Sequence, residues 1–338
     1  MTYQEVLENA KKVLAPKCKV CPVCDGVACR GQMPGLGGKG SGRAFTVCRE
    51  FFASIKLNMD CVHEHFEPDT KVELFGRHFE VPFFVACAAG MPLNYTGYLT
   101  EQQFCEATVF GALAEGSFAF TGDGPTDDFF PSTLPVIEKA GGVAVSTIKP
   151  WANEKVFERI RQLEEVHAMA FAMDVDSAAH SNLKLLGKPV FAKGVEDLKE
   201  IVASTQMPFL VKGIMTPKSA IRCQQAGAYG IVVSSHGGRV LEDAPAPASM
   251  LPQIRKAVGN SFKIIVDGGI RSGADVFKCL ALGADAVLIG RPYAIAAHGG
   301  LEEGVRLYTQ RIASELKEIM ILTDTPTLAD ITMDKLVM

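Results

Sequence analysis

A histidine and an arginine stand three residues apart in VVSSHGGR (232–239), directly after an apolar β-branched run. Histidine exchanges a proton near neutral pH, and the planar guanidinium of arginine binds a carboxylate through paired hydrogen bonds. His236 and Arg239 therefore predict a base next to an anion-binding group. Asp176, at the end of another apolar run, is a candidate to orient the imidazole, and Asp174 points to the same face by strand alternation.

Lys212 stands near the end of the apolar run PFLVKG (208–213), with no acidic residue near it in the sequence. A lysine that emerges from a buried strand needs an anion or an electron-rich group beside it. A flavin ring meets this need, because a cation at its N1/O2 edge stabilises the reduced anionic form. A Schiff-base lysine and a lysine that extends to the rim are the alternatives.

Two segments, DGGIRSG (267–273) and IGRP (289–292), combine glycines with arginines at predicted strand ends. Backbone N–H groups and helix N-termini bind phosphate at such places, commonly after the seventh and eighth strands of a barrel. We therefore predict a phosphate site here. The alternative is that the glycines only turn the chain and the arginines pair with surface acids. The candidate residues are Asp267, Gly269, Arg271, Gly290 and Arg291.

These residues follow short apolar runs that alternate with helical patterns from about residue 80 onward. Eight such runs, each buried on both faces, predict an α/β fold of the closed (β/α)8, or TIM-barrel, type. An open doubly wound sheet is the alternative, although no GxGxxG segment follows the first strand. The predicted strands are 82–89, 117–122, 142–148, 170–176, 208–213, 230–235, 263–268 and 286–291.

Residues 1–80 lack this rhythm and predict a helical, Cys- and Gly-rich extension packed on a barrel of residues 81–338. We expect a first helix, a glycine-rich lid or linker containing GLGGKGSG (35–42), a helix near 44–56 and a hairpin within KVELFGRHFEVP. The extension contains the spacing C-x2-C-x2-C-x4-C, which suits an iron–sulfur cluster, zinc, or free redox-active thiols. The candidate metal ligands are Cys18, Cys21, Cys24 and Cys29.

The net charge of −4 over 338 residues, without a basic run, argues against general binding to nucleic acid or membrane surfaces. The sequence shows no secretory segment and no apolar stretch long enough to cross a bilayer. These features predict a cytoplasmic protein that acts on a small anionic molecule.

Lys212, SSHGGR, DGGIR and IGRP, at these spacings, resemble the FMN-dependent α-hydroxy acid oxidase and dehydrogenase family. The resemblance is dense over 208–330 and fainter back to 41–59. It implies that His236 is the active-site base, that Asp176 pairs with it, and that Arg239 binds the substrate carboxylate. The flavin positions that it implies are Ala86, Ala88, Thr121, Ser146, Asp174, Lys212, Ser234, Asp267, Gly269, Arg271, Gly290 and Arg291.

The substrate half of the site departs from this family. Ile148 stands where the third strand usually carries a tyrosine, and no arginine follows Asp176. Ser146 and Asp174 stand where a glutamine and a threonine are usual. Lys149 and His180 are therefore further substrate-binding candidates, alongside Arg239.

The resemblance implies that FMN accepts two electrons from a 2-hydroxy acid, by hydride or carbanion transfer, and passes them to oxygen, a quinone or a redox protein. It also implies a homo-oligomer, often a tetramer. One alternative is a redox-neutral FMN enzyme of the type 2 isopentenyl diphosphate isomerase kind, although such isomerases lack the His–Arg pair. The other is a flavoprotein or metal-cluster binding module.

Overall fold

Eight short parallel strands, rich in Val, Ile, Phe and Ala, form a barrel, as the alternating pattern predicts. The computed structural model describes residues 1–180, 183–184 and 186–338. The barrel strands are β4 (Phe83–Val85), β5 (Phe120–Thr121), β6 (Val145–Ile148), β7 (Ala170–Asp174), β8 (Phe209–Ile214), β9 (Gly230–Val233), β10 (Lys263–Asp267) and β11 (Ala286–Ile289). Each overlaps a strand predicted from the sequence.

Neighbouring strands of the barrel are neighbours in the sequence, from β5 through β11, and β11 then pairs with β4. A parallel bridge between Val85 and Ala119 joins β4 to the start of β5 and closes the ring. All eight carboxyl ends therefore meet at one face, where barrel enzymes place their active sites.

Helices alternate with the strands and cover the outside of the barrel. They are α1 (Tyr3–Leu14), α2 (Arg43–Ser54), α3 (Met91–Asn94), α4 (Glu101–Leu113), α5 (Phe129–Lys139), α6 (Asn153–Glu165), α7 (Val195–Ala203), α8 (Pro217–Gln225), α9 (Leu251–Val258), α10 (Gly273–Ala281) and α11 (Arg291–Leu322). In the described residues, no helix combines the length and apolar composition needed to cross a membrane.

A β-hairpin closes the amino-terminal end of the barrel. Its strands are β2 (Val72–Leu74) and β3 (Arg77–Phe79), as the sequence predicts. The ring of Phe79 packs 4.6 Å from that of Phe118, which is fully buried inside the barrel. Burial of one such phenylalanine contributes about 1.5–3 kcal/mol. Because this end is filled with aromatic rings, the opposite end is left for a ligand.

The first 80 residues contact the barrel at several places. Gly299 in α11 lies close to α1, since a Cβ on Gly299 would lie 2.0 Å from the carbonyl oxygen of Val6. Strand β1 (Lys56–Leu57) pairs with β12 (Leu336–Val337) near the end of the chain. The two predicted helices form as α1 and α2. The division into an extension and a barrel at residue 80 stays a prediction.

Candidate active site

A cavity of about 170 Å³ opens at the carboxyl ends of the strands. The sequence predicted that reactive side chains would gather there, and most of them lie on its wall. Those on the wall are Ala86, Ala88, Lys149, Asp174, His180, Lys212, His236, Arg239, Asp267, Gly269, Arg271, Gly290 and Arg291.

Three predicted flavin residues are buried and do not line this cavity. The hydroxyl of Thr121 donates to Ser146 Oγ at 3.1 Å, so these two side chains satisfy each other. Ser234 Oγ accepts the backbone N–H of His236 at 3.0 Å and thereby shapes the loop that presents the histidine. Their contact with a flavin stays a prediction.

His236 and Asp176 form the acid–base pair of the site. His236 Nδ1 lies 3.1 Å from Asp176 Oδ1, and both side chains are largely buried. A carboxylate accepts the Nδ1 proton, which leaves Nε2 as the basic nitrogen. His236 adopts φ of +54°, a conformation that costs energy for a residue other than glycine and is concentrated at functional sites.

Asp174 lies between two lysine ammonium groups. Lys149 Nζ is 2.6 Å from Asp174 Oδ2, and Lys212 Nζ is 3.1 Å from Oδ1 as an ion pair that is not aligned as a hydrogen bond. Although burial acts to raise it, the two lysines hold the pKa of Asp174 well below its usual range. This arrangement keeps the Asp174 carboxylate ionised although it is fully buried.

Lys212 has a second acidic neighbour, Asp267 at the end of β10, whose Oδ2 lies 3.5 Å from Lys212 Nζ. Burial acts to lower the pKa of Lys212, but Asp174 and Asp267 raise it well above its ordinary value. The lysine is therefore a fixed cation on the cavity wall, which does not suit a Schiff-base nucleophile. Such a nucleophile needs a lowered pKa.

His180 contributes a neutral ring. It packs edge to face against His236, with ring centroids 5.1 Å apart. Burial, and then the nearby charge of His236, lower the pKa of His180 to about 2. At neutral pH the ring of His180 is therefore an uncharged polar group on the cavity wall.

The guanidinium groups of three arginines on the cavity wall, Arg239, Arg271 and Arg291, form no ion pair with a carboxylate in the described part of the chain. Arg239 donates to the carbonyl oxygens of Gly35 and Gly37 and, at 2.8 Å, to Asn94 Oδ1. Burial lowers its pKa to about 10. Such a cation lacks the counter-charge that burial normally requires, and an anionic ligand would supply it.

Arg271 and Arg291 flank the phenyl ring of Phe45, with guanidinium carbons 5.5 and 3.8 Å from its centroid. Arg291 also donates to the carbonyls of Leu36 and Gly237. One buried nitrogen of Arg271, Nη2, has no hydrogen-bond partner.

These features fit FMN. An orphaned, buried guanidinium N–H is what a phosphate would satisfy, and Gly268 and Gly269 keep the adjoining turn open with φ of +102° and +83°. Lys212 and the backbone of Ala86 and Ala88 line the same cavity further inside.

The glycine-rich loop predicted as a lid is docked over the site. Lys39 N donates to Gly238 O at 2.8 Å, and Ser41 N donates to Glu242 Oε1 at 2.8 Å. The loop thus binds the segment that carries His236 and Arg239, and its carbonyls accept hydrogen bonds from Arg239.

Sequence reasoning missed Asn94, Phe45 and Cys87. Asn94 accepts a hydrogen bond from Arg239, the ring of Phe45 packs against both Arg271 and Arg291, and Cys87 lines the cavity between β4 and α3. Only Cys87 carried a signal, because it lies near the carboxyl end of the first predicted strand, 82–89. The other two depend on contacts between distant parts of the chain.

The four predicted metal-binding cysteines are free thiols, each partly buried. In the described residues, only Asp174, Asp176 and His236 place three ligand atoms within 4.8 Å of one another, so no three of the cysteine sulfurs do. The Asp174 carboxylate is already neutralised by two lysines. This triad is therefore better explained as an acid–base group than as a metal site.

Comparison with known proteins agrees with this geometry. The L-lactate oxidase of Alicycliphilus denitrificans is 48% identical over 143 residues, which cover 42% of this chain and 39% of that protein. The chain thus matches about two fifths of that relative's length. An L-lactate oxidase of Lentilactobacillus hilgardii is 29% identical over 293 residues, with 80% of this chain and 79% of that protein covered.

Solved structures share the fold over nearly the whole chain. A mandelate oxidase variant with 2-hydroxy-phenylacetamide has a TM-score of 0.80 and 26% identity, and the match covers 98% of this chain and 96% of that one. A putative lactate oxidase of Pediococcus acidilactici has a TM-score of 0.81 at 24% identity, and the match covers 100% of this chain and 94% of that one. Residues 162–338, just over half of the chain, match the family described as FMN-dependent dehydrogenase. The protein therefore belongs to the FMN-dependent dehydrogenase family.

Proposed function

We propose that the protein uses FMN to oxidise a small 2-hydroxy acid to the corresponding 2-oxo acid. The observation that carries this proposal is the placement of His236, which pairs with Asp176, and of Arg239 on one cavity wall with Lys212 and Arg271. A base, a carboxylate ligand and a flavin cradle are the three parts that such a reaction needs. The relatives named lactate oxidase and mandelate oxidase support the same reaction class.

In this mechanism Arg239 binds the substrate carboxylate in place of the Gly35 and Gly37 carbonyls, so the substrate hydroxyl can approach His236. His236 Nε2 takes a proton from the substrate, and Asp176 stabilises the resulting imidazolium through Nδ1. Such positioned base catalysis contributes roughly 10²–10⁴-fold in rate. His180, as a neutral ring next to His236, limits the space around the bound acid.

When bound, FMN would accept the two electrons released at the hydroxyl-bearing carbon. Lys212 would lie at the N1/O2 edge of the ring and, with Asp174 and Lys149 behind it, would keep a fixed positive charge there. Arg271, Arg291 and the glycines after β10 and β11 would hold the phosphate. Asp267, the last residue of β10, would bind the ribityl chain.

The comparisons favour oxidation over the isomerase alternative, since the relatives above are oxidases and the His–Arg pair is present. Oxygen, a quinone or a redox protein would reoxidise the flavin. A cytoplasmic location and a homotetramer remain predictions.

The test is anaerobic bleaching of the flavin by a panel of 2-hydroxy acids. We expect the purified protein to be yellow and at least one acid of the panel to bleach it. His236→Gln should retain FMN but slow bleaching by about 10²–10⁴-fold. The matched control is His65→Gln, because the side chain of His65 is 87% exposed and remote from the cavity. Bleaching at the parental rate in the His236→Gln protein would refute the proposal.

A further inference from the structure

The four-cysteine segment, residues 18–29, lies against the phosphate side of the candidate active site. Arg271, on the cavity wall, donates from Nε to the carbonyl oxygen of Cys24 at 3.0 Å. A Cβ on Gly37 would lie only 2.0 Å from the carbonyl oxygen of Cys29, so the segment packs tightly against the glycine-rich loop. The other end of the segment follows α1 directly, and there Cys18 N donates to Leu14 O at 2.9 Å.

All four thiols are partly buried, and none of them forms a disulfide. The thiols of Cys21, Cys24 and Cys29 lie close enough to Cys18 to act on it electrostatically, and Arg291 acts on Cys29 in the same way. Four thiols placed in this way can bind a metal once they lose their protons.

The spacing of the sulfur atoms distinguishes between metals. A single zinc ion with Zn–S bonds of about 2.3 Å requires its sulfurs to be about 3.8 Å apart. In the described residues, no three of these sulfurs lie within 4.8 Å of one another, although Cys21, Cys24 and Cys29 all act electrostatically on Cys18. Iron and sulfide atoms inside an iron–sulfur cluster hold the four thiolates further apart.

The surroundings also suit a cluster. Val20 N donates to Cys18 Sγ at 3.4 Å, and N–H donors of this kind stabilise a thiolate ligand and tune a cluster. Four thiolates around a dicationic core leave a net dianion. The guanidiniums of Arg271 and Arg291, which would also face the FMN phosphate, lie beside the segment and place positive charge near it.

We propose that Cys18, Cys21, Cys24 and Cys29 bind a [4Fe–4S] cluster that carries electrons from the flavin to a one-electron carrier protein. This role rests on the proposed function. Oxidation of one 2-hydroxy acid breaks its carbinol C–H and O–H bonds and releases two electrons and two protons. The electrons leave one at a time through the cluster and reduce two molecules of a ferredoxin-type carrier whose potential lies above that of the 2-oxo acid/2-hydroxy acid couple, while the protons pass to solvent.

The first experiment measures iron, acid-labile sulfide and zinc in full-length protein purified without oxygen, before any substrate is added. We expect about four iron and four sulfide per chain, and an electron paramagnetic resonance signal after reduction by dithionite. Cys21→Ser and Cys24→Ser should each lose iron and sulfide yet keep FMN. The control, Cys61→Ser, changes an exposed thiol outside the segment and should keep both.

Stoichiometric zinc without sulfide, or protein that takes up neither iron nor sulfide on anaerobic reconstitution, would overturn the proposal. A serine variant that retains FMN is folded. If Cys21→Ser does not fold, Cys24→Ser provides the same test.

The second experiment separates the two proposals. In Cys24→Ser, bleaching by the 2-hydroxy acid should continue, whereas reduction of an added ferredoxin should fall at least ~10-fold. Unchanged ferredoxin reduction would refute the electron-carrying role. A wild-type protein that no hydroxy acid bleaches would refute the proposed function and leave the iron and sulfide result standing.

Discussion

Gly213 provides the space that Asp176 occupies. A Cβ on Gly213 would lie 2.7 Å from the Cβ of Asp176, and Gly213 has φ of +97°. The residue after Lys212 therefore has to lack a side chain for the carboxylate that orients His236 to sit where it does. The same position in β8 marks a register shift against β9.

We expect Gly213→Ala to displace Asp176 and reduce the rate of flavin bleaching by at least ~10-fold, because His236 loses its orienting partner. The matched control is Gly76→Ala, which has a similar positive φ of +70° but nothing within 4 Å of its new Cβ. Both variants should lose about 1–2 kcal/mol of stability from the backbone conformation. Equal bleaching rates in the two would show that Asp176 does not depend on this space.

Arg239→Lys should raise KM for the hydroxy acid and leave FMN binding unchanged. A lysine keeps the charge but cannot form the two parallel hydrogen bonds to a carboxylate. Loss of a buried, charge-assisted pair costs roughly 2–5 kcal/mol, so kcat/KM should fall by about 10²-fold or more. Steady-state kinetics on the best acid of the panel measure this. An unchanged KM would place the carboxylate elsewhere, for instance at Lys149.

Arg271→Ala should weaken FMN binding by about 10–100-fold, since one charge-assisted hydrogen bond contributes roughly 1.5–3 kcal/mol. The fraction of FMN that remains after gel filtration, and the quenching of free FMN fluorescence, report the effect. Arg161→Ala, a change at an exposed arginine in α6, is the control. Equal FMN retention in the two proteins would exclude Arg271 from the phosphate site.

His180 predicts a specific dependence of stability on pH. Its folded-state pKa of about 2 is far below that of an unfolded histidine, about 6.5, because burial and His236 oppose its protonation. Between these values the unfolded chain binds the extra proton, so stability falls as pH decreases, by up to about 1.4 kcal/mol per pH unit. Thermal unfolding between pH 6.5 and 4.5 should therefore be less pH-dependent in His180→Gln.

His65→Gln, which removes an exposed histidine, is the control for this measurement and should keep the wild-type pH dependence. A His180→Gln protein whose midpoint falls with acid as steeply as that of the wild type would show that the His180 ring is not kept neutral by the fold.

The barrel could be predicted from the sequence because each strand is a short β-branched or apolar run buried on both faces. In β7, for example, all five residues are buried, and the polar end of the run marks the active-site side. The positions of His236, Lys212 and Arg271 follow from this topology alone. Strand ends were less accurate: the first predicted strand, 82–89, forms only over Phe83–Val85, since its last residues turn to line the cavity.

The pairings inside the site could not be predicted in the same way. Asp174 and Lys149 are 25 residues apart and meet because β6 and β7 are neighbours, so Lys149 is engaged by Asp174 instead of standing free for substrate. Arg239 and Gly35 are more than two hundred residues apart, and no local pattern connects them. Glycine-rich composition indicated a movable loop without indicating where that loop would bind.

Arg239 and Arg291 bind consecutive peptide groups, at Gly35, Leu36 and Gly37. A ligand that takes Arg239 away from these carbonyls would free the segment to move, and this would weaken the hydrogen bond of Arg291 to Leu36. We therefore expect binding at the two anion sites to be thermodynamically linked. By reciprocity, a nucleotide that makes the acid bind more tightly must itself be retained more tightly once the acid is present. We therefore expect FMN binding and substrate binding to be coupled through these three backbone residues.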